Sequence, residues 1–170
     1  MRDIAARVAG FGAILLAVVV CRVPASAQPA SNPLDRFNGD WEIRGRSLEG
    51  RVAHAYQISE YCRWSEQRTF MICEEREHGR PVEDVTFMWR DRHGVYRFAD
   101  VGTDGSKDGG IIRIAPSRWV WVSGDGARRD ETVNDWVTPD SIHYVSRTSL
   151  DRGKTWKPSG DGTETRVRRS

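Results

Sequence analysis

The sequence predicts an all-β protein, an antiparallel up-and-down β-barrel of about nine or ten strands. Three observations support this fold class. Short runs alternate apolar and polar residues, turn signals follow at close spacing, and no segment shows a helical period with caps at both ends. A parallel α/β fold would need long amphipathic helices between its strands, and the 170 residues leave no room for them.

The chain begins with a segment typical of an export signal. Arg2 and Arg7 precede an apolar or small run at residues 8–21, and Ala25-Ser26-Ala27 fits an A-x-A cleavage site. We expect cleavage after Ala27 and a periplasmic or secreted location. The alternative is a membrane anchor, but the run is shorter than the roughly 20 residues that span a bilayer. No later stretch reaches that length, so no integral membrane segment is expected after cleavage.

The remaining chain divides into a short lead-in and one domain. Residues 28–36 contain Pro, Ser and Asn and predict a flexible lead-in, and residues 37–170 form the domain. Removal of residues 1–27 takes away three arginines and one aspartate, which leaves basic and acidic residues equal in number. Such a balance gives no reason to expect a nucleic-acid partner. The oligomeric state is open.

Several runs have the period of two that a half-buried strand requires. They are residues 41–44, 85–90 and 142–146, whereas residues 118–122 are apolar on both faces and predict a strand covered on both sides. Four Asp-Gly pairs predict tight turns, because both residues tolerate positive φ. These pairs begin at Asp104, Asp108, Asp125 and Asp161.

Two cysteines remain after export, and their spacing predicts a disulfide. A hairpin that turns between Gln67 and Arg68 places Cys62 directly opposite Cys73. Opposed residues in a non-hydrogen-bonded pair come close enough to bond. The alternative is a pair of free or metal-binding thiols, but no further cysteine and no paired histidine accompany them. No metal site is predicted.

Seven tryptophans stand in this small domain, and several fall on predicted inward faces. They either fill the core or line a ligand cavity, which would be apolar with a few polar groups. The candidate lining residues are Trp64, Phe87, Trp89, Trp121 and Tyr144.

A Gly-x-Trp motif, Gly39 to Trp41, stands at the start of the first predicted strand. It resembles the signature of lipocalins and related calycin barrels. The resemblance implies that Trp41 closes one end of the barrel and that an arginine of the last strand lies across its ring. Arg166 and Arg168 are both placed to do so, and the sequence does not decide between them.

The likeness extends over most of residues 37–169. The Cys62-Arg63-Trp64 hairpin with Cys73 and the late segment Ser149 to Trp156 resemble an exported bacterial lipocalin-like family of unknown function. That resemblance implies a calycin-like barrel and supplies no catalytic residue.

The late segment also matches the Asp-box of sialidases and other propellers. Propellers repeat this box once per blade, whereas this chain has one copy, so we expect a structural turn. Its members are Ser149, Asp151, Gly153, Thr155 and Trp156.

Common enzyme signatures are absent from the sequence, among them G-x-S-x-G, H-E-x-x-H and the P-loop. No catalytic residue and no cofactor are therefore predicted. The leading hypothesis is a binding module for a small, largely apolar ligand. The alternatives are a filled-barrel scaffold for protein interactions and, by analogy of fold alone, a haem-binding or enzymatic barrel.

Overall fold

The computed structural model describes residues 31–49, 52–77, 81–124 and 126–168, with the side chain of residue 49 excepted. The predicted export signal lies outside these residues. The described residues form a short 3-10 helix at Pro33–Arg36 and ten strands. The strands are β1 Gly39–Glu49, β2 Val52–Trp64, β3 Phe70–Glu77, β4 Asp84–Arg90, β5 Tyr96–Gly102, β6 Lys107–Ile114, β7 Arg118–Ser123, β8 Arg129–Thr138, β9 Ser141–Ser149 and β10 Lys157–Val167.

The ten strands close into one antiparallel barrel. Each strand pairs with its neighbours along the chain, and β1 completes the ring by pairing with β10. The predicted fold class is confirmed. Strands that follow each other in the chain lie next to each other in the barrel, which suits a meander because antiparallel neighbours need no crossover. Among the described residues, no helix combines the length and the apolar character of a membrane span.

The core fills one end of the barrel, where the 3-10 helix lies. Leu34 of this helix is fully buried, and the Phe37 ring packs edge-on against Trp119 and Trp136 at centroid distances of 5.0 and 5.4 Å. Tilted and T-shaped ring pairs of this kind add to the burial of apolar area. The remaining buried members are Trp41, Met71, Met88, Phe98, Ile112, Ile142 and the two cysteines.

The last residues of the predicted lead-in form the 3-10 helix. Pro33 opens the helix, and the Asn32 side chain caps it by accepting a hydrogen bond from the Leu34 backbone N–H at 3.1 Å. Burial of Leu34 holds the segment against the core. The ordered domain therefore begins before Phe37.

Two of the four Asp-Gly pairs do not form turns. Asp108-Gly109 lies inside β6 and Asp161-Gly162 inside β10. Glycine at position 162 meets a packing requirement instead, since a Cβ there would stand 2.3 Å from the Tyr144 hydroxyl. Asp104-Gly105 does form the β5–β6 turn, with Gly105 at φ +87.

β7 is not covered on both faces. Trp119 points inwards and is fully buried, but Val120 and Val122 alternate with the inward residues and stay partly exposed on the outside. The apolar run therefore predicted the strand correctly, but the prediction that its outer face is covered was wrong.

Candidate functional site

One end of the barrel is closed by Trp41 and Arg166. The Trp41 side chain is 1% exposed, and its indole N–H donates to the Phe37 carbonyl oxygen at 2.7 Å. The Arg166 guanidinium lies 4.2 Å from the ring centroid and donates to the Asn38 and Arg36 carbonyl oxygens. This cation–π contact and the two hydrogen bonds hold β10 against the residues that precede β1.

Arg168 has a different position from Arg166. It pairs with Asp140 at 2.6 Å, and its side chain is largely exposed. Gly39 is needed beside Trp41 because its φ is +128 and a Cβ would lie 2.9 Å from an Arg166 nitrogen. The motif residues thus meet at the closed end.

The disulfide joins β2 to β3 inside the barrel. Cys62 and Cys73 are paired in register, bonded and fully buried. Trp64, two residues later, lies at the closed end, where its indole N–H donates to the Asp35 carboxylate at 2.8 Å.

Beyond this core lies a cavity of about 390 Å³. This volume falls within the range of small-molecule sites, about 300–1,000 Å³. Phe37 forms part of its wall next to the core, and Trp121, Phe98, Tyr56 and Tyr144 add aromatic surface. The remaining wall residues are Ile43, Ile58, Glu60, Glu75, Thr86, Asp100, Asp108, Ser123, Asp130, Thr132, Asn134, Ser146 and Glu164.

The cavity wall is acidic, which corrects the expectation of a largely apolar cavity. Six carboxylates line it, and no Lys, Arg or His belongs to the described residues that do. Glu60, Glu75 and Glu164 come from β2, β3 and β10, while the aspartates come from β5, β6 and β8. Asp130 alone of the six forms an ion pair among the described residues, with Arg128 at 2.9 Å.

Burial and mutual repulsion raise the pKa of several of these carboxyls. Loss of hydration raises the pKa of Glu164 to about 8, and the nearby Glu75 charge adds to the effect. The same loss, with repulsion from Asp100, Asp84 and Glu83, raises the pKa of Glu75 to about 7. The pKa of Glu60 is raised well above its usual value, first by burial and then by Glu75, Glu164 and Asp100.

A pair of tyrosines faces the glutamates. The Tyr56 and Tyr144 hydroxyls share a hydrogen bond, and burial, followed by that bond, raises the pKa of Tyr144 above its usual range. Gly45 and Gly162 lie opposite each other on β1 and β10 and leave the room that the two rings occupy. A Cβ at Gly45 would stand 2.0 Å from the Tyr144 hydroxyl oxygen.

Of the five side chains expected to line the cavity, the structure places Trp121 and Tyr144 on its wall. Trp64 packs at the closed end. Phe87 and Trp89 alternate with the buried Thr86 and Met88 and therefore lie on the outer face. Their expected place was wrong because the apolar parity of β4, to which Phe87 and Trp89 belong, faces outwards, whereas the inward parity carries Thr86 and Met88.

The late hairpin between β9 and β10 is held by its own side chains. The Asp151 carboxylate accepts hydrogen bonds from the Ser149 hydroxyl and from the Thr155 backbone N–H, both at 2.8 Å. The Thr155 hydroxyl also donates to it, and these bonds lower the pKa of Asp151 to about 2. Gly153 has φ +85, and Trp156 lies against it. None of the five box residues lines the cavity.

The inward glutamates carried a signal that the sequence analysis missed. Glu60 precedes Cys62 by two residues and Glu75 follows Cys73 by two, so both share the inward face of the disulfide. The inward-facing Cys62–Cys73 pair therefore predicts that Glu60 and Glu75, two residues further from the turn, also face each other inside the barrel.

The fold has counterparts among solved structures. Rv2717c from M. tuberculosis aligns with a TM-score of 0.54 at 11% identity, over 79% of this chain and 95% of that one. The S-type phycobiliprotein lyase CPES from Guillardia theta aligns with a TM-score of 0.49 at 13% identity, over 81% and 92%. Neither a family model nor a curated protein matches the sequence. At an identity this low, the likeness to Rv2717c shows the barrel fold alone.

Proposed function

We propose that this protein is an exported, non-catalytic binding module that holds one small organic molecule in its barrel. The cavity of about 390 Å³, with aromatic and polar groups converging on it, carries the proposal. A barrel filled with side chains, as a scaffold would have, is less favoured for the same reason. The acidic wall argues for a ligand with a polar part rather than a largely apolar one.

Export forms part of this proposal. A disulfide between two fully buried cysteines suits an oxidising compartment. We expect the exported protein to begin at Gln28, after cleavage behind Ala27. N-terminal sequencing of protein secreted by its own host tests this, and a start far from Gln28 would contradict it.

Native mass spectrometry of protein purified from its own host tests the binding role. We expect one additional small-molecule mass on the folded protein, lost on denaturation. A bare mass, together with no retention of small molecules from a host metabolite extract, would contradict the proposal. Subtraction of the two masses gives the ligand mass directly.

A second candidate is an acid–base enzyme, because a pKa near neutrality at Glu75 and Glu164 suits proton transfer. If the protein is an enzyme, incubation with the host metabolite extract should convert one compound into a product of different mass. If it is a binding module, the bound compound should be recovered unchanged. The haem alternative has less support, since none of the described histidines lies on the cavity wall.

A further inference from the structure

We infer that the molecule held in the cavity is an organic cation, with an ammonium group directed at Glu164 and an apolar or aromatic body against the opposite wall. This inference rests on the proposed binding role and adds the charge and chemical class of the ligand.

The first argument is the charge of the wall. Six carboxylates face the cavity and no basic residue of the described chain lines it. Arg128 pairs with Asp130, but no ion pair with a described residue neutralises Glu60, Glu75 or Glu164. Carboxylates are almost always exposed or paired in folded proteins. Asp108 is exposed and Asp130 is paired, but Glu164 is buried without an ion pair to a described residue, so the barrel interior favours positive charge.

The second argument is the hydrogen-bonding inventory. The Glu164 side chain is only 8% exposed, and one of its carboxylate oxygens has no hydrogen-bond partner. The Asn134 residue, 4% exposed, has an unpartnered carbonyl oxygen, and Glu60 has an unpartnered carboxylate oxygen. Trp121 has the one fully buried side-chain donor without a partner among the described wall residues. Buried acceptors without donors are costly, and an ammonium brings three donors and no acceptor.

The third argument separates an organic cation from a metal ion. Among the described residues, no three carboxylates bring ligand oxygens within 4.8 Å of one another; the one close group is Glu60 with the bonded cysteines. A Ca²⁺ ion needs six to eight oxygens at about 2.3–2.6 Å. The dispersed carboxylates, the large volume and the aromatic rings of Tyr56, Tyr144 and Trp121 suit a cation with an attached body instead.

The raised pKa values of Glu75 and Glu164 agree with this interpretation. Near neutral pH these carboxyls keep part of their protons, because a proton relieves their repulsion and their loss of hydration. A bound ammonium provides the same relief. Its binding should therefore release protons into the buffer.

Calorimetry with matched probes tests the inference. The probes are phenethylamine, 2-phenylethanol and phenylacetate, which share a shape and differ in charge, together with calcium chloride. At pH 7.5 we expect phenethylamine to bind at least tenfold more tightly than 2-phenylethanol, phenylacetate not to bind, and the measured heat to depend on the buffer's ionisation enthalpy. These comparisons use the wild-type protein and need no variant.

Two variants locate the charge. Glu164→Gln should weaken phenethylamine binding at least tenfold and leave 2-phenylethanol binding unchanged. Glu131→Gln is the matched control, because Glu131 lies on the outer face of β8 in an ion pair with Arg147. It should change neither affinity. Circular dichroism confirms that each variant is folded.

The outcomes separate the two proposals. If 2-phenylethanol binds as tightly as phenethylamine, the charge inference is overturned and the binding role stands. Binding of calcium in preference to phenethylamine overturns the organic class of the cation. If no probe binds, the inference fails, and the native mass spectrum of host-purified protein decides the binding role separately.

Discussion

Replacing Glu164 by glutamine should make the protein less sensitive to alkaline pH. The side chain comes from β10, is buried in the cavity wall and is faced by Glu60, Glu75 and Tyr144. Glutamine keeps the shape and removes the charge. The variant therefore isolates the cost of ionising this carboxyl inside the barrel.

The magnitude follows from the pKa of Glu164, about 8 in the folded protein against 4.5 as the ordinary value. Between these two values the folded state binds more protons than the unfolded state, so stability falls as pH rises. Each pH unit of this window costs up to about 1.4 kcal/mol. From pH 5 to pH 8.5 Glu164 should therefore lower the free energy of unfolding by roughly 3–4 kcal/mol. Glu75, with a pKa of about 7, adds a loss of the same sign.

Urea denaturation followed by tryptophan fluorescence at pH 5, 6.5 and 8.5 measures this loss. We expect the wild-type free energy of unfolding to fall steeply over this range, since Glu60 and Glu75 add to the loss, and Glu164→Gln to remove roughly 3–4 kcal/mol of the fall. Glu131→Gln, on the outer face, should keep the wild-type slope. Equal slopes for the wild type and Glu164→Gln would refute the reasoning, because Glu164 would then titrate as an exposed carboxyl.

Three further predictions concern the frame of the barrel. Trp41→Ala should lower the free energy of unfolding by about 3–5 kcal/mol, as truncation of buried tryptophan does, and a loss below about 1 kcal/mol in urea melts would contradict its closing role. Reduction of the Cys62–Cys73 bond should cost roughly 2–3 kcal/mol on the chain-entropy model, and two alkylatable thiols in the native exported protein would show that the bond is absent. Ser149→Ala should lower the free energy of unfolding by roughly 1–2 kcal/mol, because the hydrogen bonds of the late hairpin are lost. Gly153→Val should lower the melting temperature more than Gly153→Asn, because asparagine tolerates positive φ. Equal melting temperatures for the two Gly153 variants would argue against a structural hairpin.

The sequence predicts the architecture well because β-structure repeats every two residues and turns have their own chemistry. The disulfide hairpin is the clearest case. One turn position fixes Cys62 opposite Cys73 and Trp64 opposite Met71, and the structure has both pairs. Turn type and loop length fix the register of a hairpin, and both can be read from a single sequence.

The pattern of β4 predicts the wrong inward face. Thr86 points inwards and donates to Asp100 at 3.2 Å, while Met88 lies opposite the buried Met71. Phe87 and Trp89, the large aromatic residues at the alternating positions of β4, predicted the opposite orientation. Only pairing with β3, whose inward face is set by the disulfide, decides between the two.

The chemistry of the cavity was the least predictable feature. Charged residues usually face water, so Glu60 and Glu164 fit the outer face of a strand as readily as the inner one. Closing the ring of ten strands brings Glu164 of β10 near Glu75 of β3, although 89 positions separate them in the chain. No local pattern encodes that proximity.

A crystal structure of the protein with phenethylamine at pH 8 tests most directly whether the acidic cavity is a binding site. We expect one molecule inside the barrel, its nitrogen within about 3 Å of a Glu164 carboxylate oxygen, as charge-assisted hydrogen bonds require, and its ring against Trp121 or the tyrosine pair. Phenethylamine found only on the outer surface, or inside with its nitrogen turned away from the glutamates, would contradict this account of the cavity.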